Sequence, residues 1–248
     1  TLQIIREAKP DIVLLQESYD IDGDRPRLGE WLAGDLGWHQ HQAESKHLCV
    51  LTHLTIDETF FHHEWHGVGA KLTDKDGRSL LAWSIWIDWR AFITYALRDQ
   101  PDISDEALLA CESEGSGRLQ QATNILSHLQ EAGQLQADIP LLVGGDWNCP
   151  SHLDWTTDTA RIFRHRRALP LPVSRGMQEA NFADAYRVIH PHPVQQPDGP
   201  HRRSICHLLV RSDADVGGVG QLRMDDRGDR GGDRADLGSQ LAGVDAAP

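Results

Sequence analysis

Pro140-Leu141-Leu142-Val143-Gly144-Gly145-Asp146-Trp147-Asn148-Cys149-Pro150-Ser151 is the stretch on which the fold turns. Leu141 to Val143 is a short apolar run between a proline and two glycines, the pattern of a core strand. Gly144 and Gly145 let the backbone pass close to a bulky neighbour. Asp146 and Asn148 are two apart, so on an extended segment both point to one side. A carboxylate and an amide aimed together from a rigid strand suit phosphoester hydrolysis. The acid can orient a water or bind a metal, and the amide can hold an oxygen that gains charge. The other reading of these residues is a strand that exits into a turn, because Asp, Asn, Pro and Gly all favour turns.

The chain around this stretch has 248 residues, eight Trp and a 40% hydrophobic fraction, enough for one large domain or two small ones. No apolar run approaches the roughly 18 residues of a membrane span. The chain begins at Thr1 with no signal-peptide pattern, so its front is expected to be processed or incomplete. Cys49, Cys111, Cys149 and Cys206 are far apart and form no CxxC pair, which argues against a zinc knuckle or redox motif and leaves the compartment open. The net charge is −13. A binder of long nucleic acid usually carries a basic footprint. An acidic balance fits a site that collects divalent cations, or a substrate smaller than duplex DNA.

Upstream, Leu2, Ile5 and Ala8 have helical spacing, and Pro10 ends that helix. Asp11 to Glu17 follows as a buried strand, apolar until its last two residues. Glu17 therefore sits where a core strand emerges, as Asp146 does; ligands of sheet-based enzymes cluster at strand ends, and the other reading, commoner for a lone Glu, is a solvated strand terminus. Leu28 to Leu36 reads as a short helix, and His47 to His53 as a strand. His62, His63 and His66 lie beside Glu64. The first two would diverge on any regular element, so an exposed polar loop or edge is expected there rather than a metal cluster. Ser79 to Trp89 reads as a central strand ending in Asp88-Trp89-Arg90. Pro101 to Cys111 and Arg118 to Ala132 read as helices, the second with Leu119, Ala122, Ile125, Leu126 and Leu129 on one face. Asn181 to His190 reads as a further short helix.

The composition changes near Gln195. From Arg187 to Pro248 there is no Trp, Tyr or Phe, and Gly, Asp and Arg dominate. Such a segment cannot bury enough apolar surface to offset the entropy of ordering. The expected organisation is a folded domain over 1–195 and a disordered or loosely attached tail over 196–248.

Three stretches in order resemble the endonuclease/exonuclease/phosphatase superfamily of metal-dependent phosphoesterases. They are Lys9-Pro10-Asp11-Ile12-Val13-Leu14-Leu15-Gln16-Glu17, then Arg118 with Gln121, then Gly145-Asp146-Trp147-Asn148. Pro150 to Thr156 looks like a branch of that superfamily rich in phosphatases and phosphodiesterases. The resemblance covers 1–195. It implies an α/β four-layer sandwich, with two packed sheets flanked by helices. It implies that Glu17 binds Mg²⁺ (or Mn²⁺), that Asp146 orients or deprotonates the attacking water, and that Asn148 steadies the phosphoryl group. His152, Asp154 and Arg90 are its candidate substrate contacts, and Asp11 is a structural turn residue.

Several parts of the family pattern are missing. The first strand with its Asn is absent. Trp86 stands where many members carry a His, and an indole cannot shuttle a proton. The C-terminal Asp strand and final Asp-His do not occur. The fold is thus expected to be incomplete at both ends, with edge strands open and stability low. The tail is read as translated out of frame: Met224-Asp225 must be coded ATG-GA(C/T), which one nucleotide later contains TGG, a Trp codon. The expected function is divalent-metal-dependent hydrolysis of phosphoesters of modest size, impaired in this chain. The alternatives are an inactive scaffold or binding domain, and a nuclease using Arg161, Arg164, His165, Arg166 and Arg167, residues that also suit a solvated helix face.

Overall fold

The computed structural model describes residues 1–19, 27–163, 167–196 and 206–211. In chain order the elements are α1 (Leu2–Ala8), β1 (Ile12–Leu15), α2 (Leu28–Leu36), β2 (His39–His41), β3 (Cys49–Thr52), β4 (Thr55–His63), β5 (Gly67–Thr73) and β6 (Ser79–Trp86). Then come α3 (Ile93–Asp99), α4 (Asp105–Ala110), α5 (Arg118–Glu131), β7 (Leu141–Asp146), α6 (Thr157–Ile162), α7 (Pro172–Glu179), β8 (Ala183–Asp184), α8 (Ala185–Ile189) and β9 (Cys206–Arg211).

Strands form one sheet in the order β1-β3-β2 and a second in the order β4-β5-β6-β7-β9-β8. All pairs are antiparallel except β6 with β7, whose parallel register sets Ser84 opposite Gly144 and Trp86 opposite Asp146. The helix-containing connection from β6 to β7 is what a parallel pair requires.

Side-chain alternation sorts these sheets into layers. Ile5 of α1 and Leu32 of α2 pack on the outer face of the small sheet, against Leu15, Cys49 and Leu51. Between the sheets, Leu48 and Val50 meet Val68, Ala70, Leu72 and Ala82, with Ile12, Leu14 and Trp86 at the margin. On the far face, Trp83, Ile85, Val143 and Trp147 pack against Ala122, Ile125 and Leu129 of α5 and Val173 and Met177 of α7. Helix, sheet, sheet, helix is the expected four-layer sandwich.

The structure corrects several boundaries. The folded unit does not end at 195, because β9 lies inside the large sheet between β7 and β8. Aromatic residues were the wrong signal there: Leu209 and Val210 bury the strand without them. Thr1–Val216 is one unit by its contacts; Gly217–Pro248 falls outside the described residues, as does most of the expected out-of-frame tail. The helix expected at 181–190 is split, since Asp184 caps α8 by accepting from the Tyr186 and Arg187 amides and still pairs in β8. The helix expected from Pro101 begins at Asp105, capped by the Ser104 hydroxyl. His62 and His63 end β4 at the edge of the large sheet, one of the two settings expected for them.

Candidate functional site

The open end of the sandwich gathers three strand ends. The Ser84 hydroxyl donates to the Leu15 carbonyl at 2.8 Å, and the Gln16 amide donates to Ser84 Oγ at 3.0 Å. Ser84 in turn lies opposite Gly144. Strands β1, β6 and β7 are therefore level across the gap between the sheets. Two residues beyond this tie stand Glu17, Trp86 and Asp146. The two expected carboxylates thus come from different sheets to one rim.

Asp146 is half-buried, and its Oδ1 accepts from the Asn148 backbone N–H at 3.0 Å. Asn148 is buried with φ +47°, and its side-chain amide donates to the Ile87 carbonyl at 2.8 Å. The Ile87 N–H returns a bond to the Asp146 carbonyl at 3.1 Å. This loop fixes the acid and amide against β6 and leaves Asn148 a second amide hydrogen as a donor. Gly145 makes the approach feasible: a Cβ there would meet the Ile85 carbonyl oxygen at 2.0 Å.

Glu17 is exposed and holds φ +56°, a conformation rare for a residue with a side chain. Its backbone N–H donates to His47 Nδ1 at 3.1 Å. Mg²⁺ usually takes one or two protein carboxylates and keeps several waters. An exposed carboxylate on a fixed backbone fits that demand. Among the described residues, no three His, Cys, Asp or Glu side chains converge into a metal cage.

Trp86 is flanked by imidazoles. His47 meets it edge-on at 5.4 Å, and His66 lies parallel to it at 6.4 Å, with Nδ1 3.1 Å from the Trp86 carbonyl. Burial lowers the pKa of both histidines. His47 did not stand out in the sequence, and His66 did so only beside His62 and His63, because each reaches Trp86 from a distant strand or turn. His62 is pushed down to about 4 by burial and by its neighbours His128, His63 and His66.

The Arg118 and Gln121 motif builds the wall beside the site. Arg118 is fully buried and donates to the carbonyls of Asp88, Arg90, Ala91 and Cys111. Gln121 accepts from the Asp88 N–H at 2.8 Å. Arg90 is exposed, but its guanidinium lies on Asp88 at 2.7 Å. That guanidinium holds the Asp88 carboxyl well below the usual range. Arg90 therefore reaches solvent with its charge already shared.

His152 and Asp154 are not brought to the rim. Trp147 and Cys149 point to the opposite face of β7, into the helix layer. The cavity lined by Trp147, His152, Ser174, Gln178 and Leu209 lies on that face. His152 is held there by Ser174 at 2.9 Å and Gln178 at 3.0 Å. Asp154 is buried in an ion pair with Arg187. Of the basic cluster, Arg161 pairs with Asp158, and Arg167 donates to Asp105 and to the Ile103 and Pro101 carbonyls. Arg164, His165 and Arg166 lie outside the described residues.

Two packed sheets with helices on both outer faces define the class of α/β sandwich. The chain belongs to the Endonuclease/Exonuclease/phosphatase family, which it matches over residues 1–203. The Caenorhabditis elegans protein F14F9.5 is 28% identical over 194 residues, covering 76% of this chain. The chain spans 59% of that relative's length. Among solved structures, the fold resembles the human Nocturnin catalytic domain with bound sulfate (TM-score 0.54, 16% identity, 84% of this chain and 72% of that one). It also resembles the 3′ phosphatase NExo from Neisseria bound to a product DNA hairpin (TM-score 0.52, 15% identity, 84% and 79%). An AP endonuclease from Archaeoglobus fulgidus is similar too (TM-score 0.51, 15% identity, 85% and 79%).

Proposed function

We propose that the chain is a divalent-metal-dependent phosphoester hydrolase acting on phosphomonoesters or phosphodiesters of modest size. The observation that carries this reading is the Leu15–Ser84–Gly144 tie, which levels Glu17 with Asp146 at one rim. Glu17 would hold Mg²⁺ or Mn²⁺, which when bound would neutralise charge on the phosphate. Asp146 orients the attacking water and takes its proton. Asn148 donates its second amide hydrogen to an oxygen that gains charge as the bond breaks. The Asn148–Ile87 bond keeps that donor in place before substrate arrives.

Trp86 opposite Asp146 supplies no proton-transfer group, so turnover is expected to be weak. The same observation favours a second reading, a domain that binds phosphoesters without cleaving them. The charge of −13 and the engagement of Arg167 within the fold weigh against a nuclease acting on long nucleic acid. Among the described residues, no helix is long and apolar enough to cross a membrane.

The test is Mg²⁺- or Mn²⁺-dependent hydrolysis of bis(p-nitrophenyl) phosphate, with Asp146→Ala as control. Turnover that stops without metal and falls about 10²–10⁴-fold in Asp146→Ala supports the reading. Binding of the diester without turnover favours the second reading. Turnover indifferent to Asp146 would remove both.

A further inference from the structure

His47 receives two consecutive backbone amides of the strand end that carries Glu17. The Glu17 N–H donates to its Nδ1 at 3.1 Å, and the Ser18 N–H donates to its carbonyl at 2.8 Å. These bonds clamp Glu17 in the left-handed region, at φ +56°. Without such a clamp a residue bearing a Cβ would relax to an extended conformation, and its carboxylate would swing away. The ring is itself held. Because Nδ1 accepts, the ring proton is on Nε2, which meets the Trp65 carbonyl at 3.2 Å. His47 is fully buried, and its ring stacks on Tyr19 at 5.3 Å and touches Trp65 and Trp86.

We infer that His47 is the positioning residue for Glu17: its Nδ1 holds the Glu17 backbone so that the carboxylate points to the rim where a divalent cation binds. The inference rests on the reading of Glu17 as the metal-holding acid. It assigns a role to the acceptor atom, separate from the packing of the ring.

Those two contributions can be separated by substitution. His47→Asn places an amide oxygen where Nδ1 stands and removes the ring. His47→Phe keeps the ring among Tyr19, Trp65 and Trp86 and removes the acceptor. The experiment measures Mn²⁺ affinity by electron paramagnetic resonance for the wild type, both variants and Glu17→Gln, with the melting temperature of each. His47→Phe is expected to lose about tenfold or more in affinity, and His47→Asn to stay within about threefold, the range expected when an outer partner of a ligand is lost or kept.

Wild-type affinity in a folded His47→Phe, with Glu17→Gln impaired, overturns the inference and leaves the proposed function standing. An equal loss in His47→Asn and His47→Phe also overturns it, because packing alone would then explain both. Unchanged affinity in Glu17→Gln removes the metal-holding role of Glu17 and the inference with it. Should His47→Phe fail to fold, the wild-type ring decides by ¹⁵N NMR. An unprotonated Nδ1 with a protonated Nε2 upholds the clamp, and a protonated Nδ1 overturns it.

Discussion

Asp146 and Asp154 lie eight residues apart on one segment and have opposite surroundings. Asp146 stands at the rim between the sheets, half-buried, with its own chain turned back to donate to it. Asp154 is sealed against Arg187 of α8, each side chain about 5% exposed or less. Asp146 ends β7, whereas the turn that follows carries Asp154 to Arg187 of α8. A half-hydrated carboxylate can exchange partners during a reaction. A buried, guanidinium-paired one cannot do so without leaving a charge unbalanced in a poorly polarisable interior. Residue type alone does not separate these roles; depth and partner do.

That contrast breaks most easily by truncating each acid. Asp146→Ala is expected to lose about 10²–10⁴-fold in turnover with its melting temperature nearly unchanged. Asp154→Ala is expected to show the reverse, a stability loss of about 3–5 kcal/mol in denaturant unfolding, because a buried ion pair loses one of its charges. A large stability loss in the first, or none in the second, would reverse the assignment of roles.

Glu112 sharpens the comparison as a third acid, buried like Asp154 but without a direct guanidinium partner among the described residues. Its Oε2 accepts from the Val173 N–H at 3.0 Å, while its Oε1 has no hydrogen-bond partner among the described residues. Burial pushes its pKa up to about 7, against the opposing pull of the Val173 N–H and of Arg118. A carboxyl raised on folding is neutral in both states at acid pH and adds no penalty there. As pH rises past the unfolded value, the unfolded chain ionises first and stability falls, until the folded group also ionises near pH 7. Glu112→Gln keeps an acceptor without the charge. It should melt with the wild type near pH 4.5 and above it at pH 8, by roughly 3 kcal/mol at most. A gap that does not widen with pH would place Glu112 with the satisfied acids.

A smaller effect is expected from Arg118→Lys. Lysine keeps the charge but cannot reach four carbonyls with a planar fork. A loss of about 2 kcal/mol in denaturant unfolding is expected, from carbonyls left without donors. Wild-type stability would mean that water or the ammonium replaces the fork.

Much of the sandwich was legible from short-range pattern. The apolar runs 12–15 and 141–143, the amphipathic face of α5 and the helix at 28–36 each announce themselves within a few residues. Glu17, Asp146 and Asn148 stood out because each follows such a run. Other features were hidden because they depend on distance. His47 is 30 residues from Glu17 in sequence, and Ser84 is 69 from Leu15. Strand β9 was missed because an aromatic-poor composition masked a three-residue apolar run that pairs on both sides.

By itself the sequence determined the alternation of core strands with amphipathic helices, the order of the family motifs, and which strands end in acids. Periodicity and turn chemistry act over a few residues, so a single chain displays them. The tertiary structure alone decided which strand ends meet, which acid is buried against an arginine, and which histidine holds Glu17. Each of those depends on contacts between residues far apart in the chain, and such contacts exist only once the two sheets have packed.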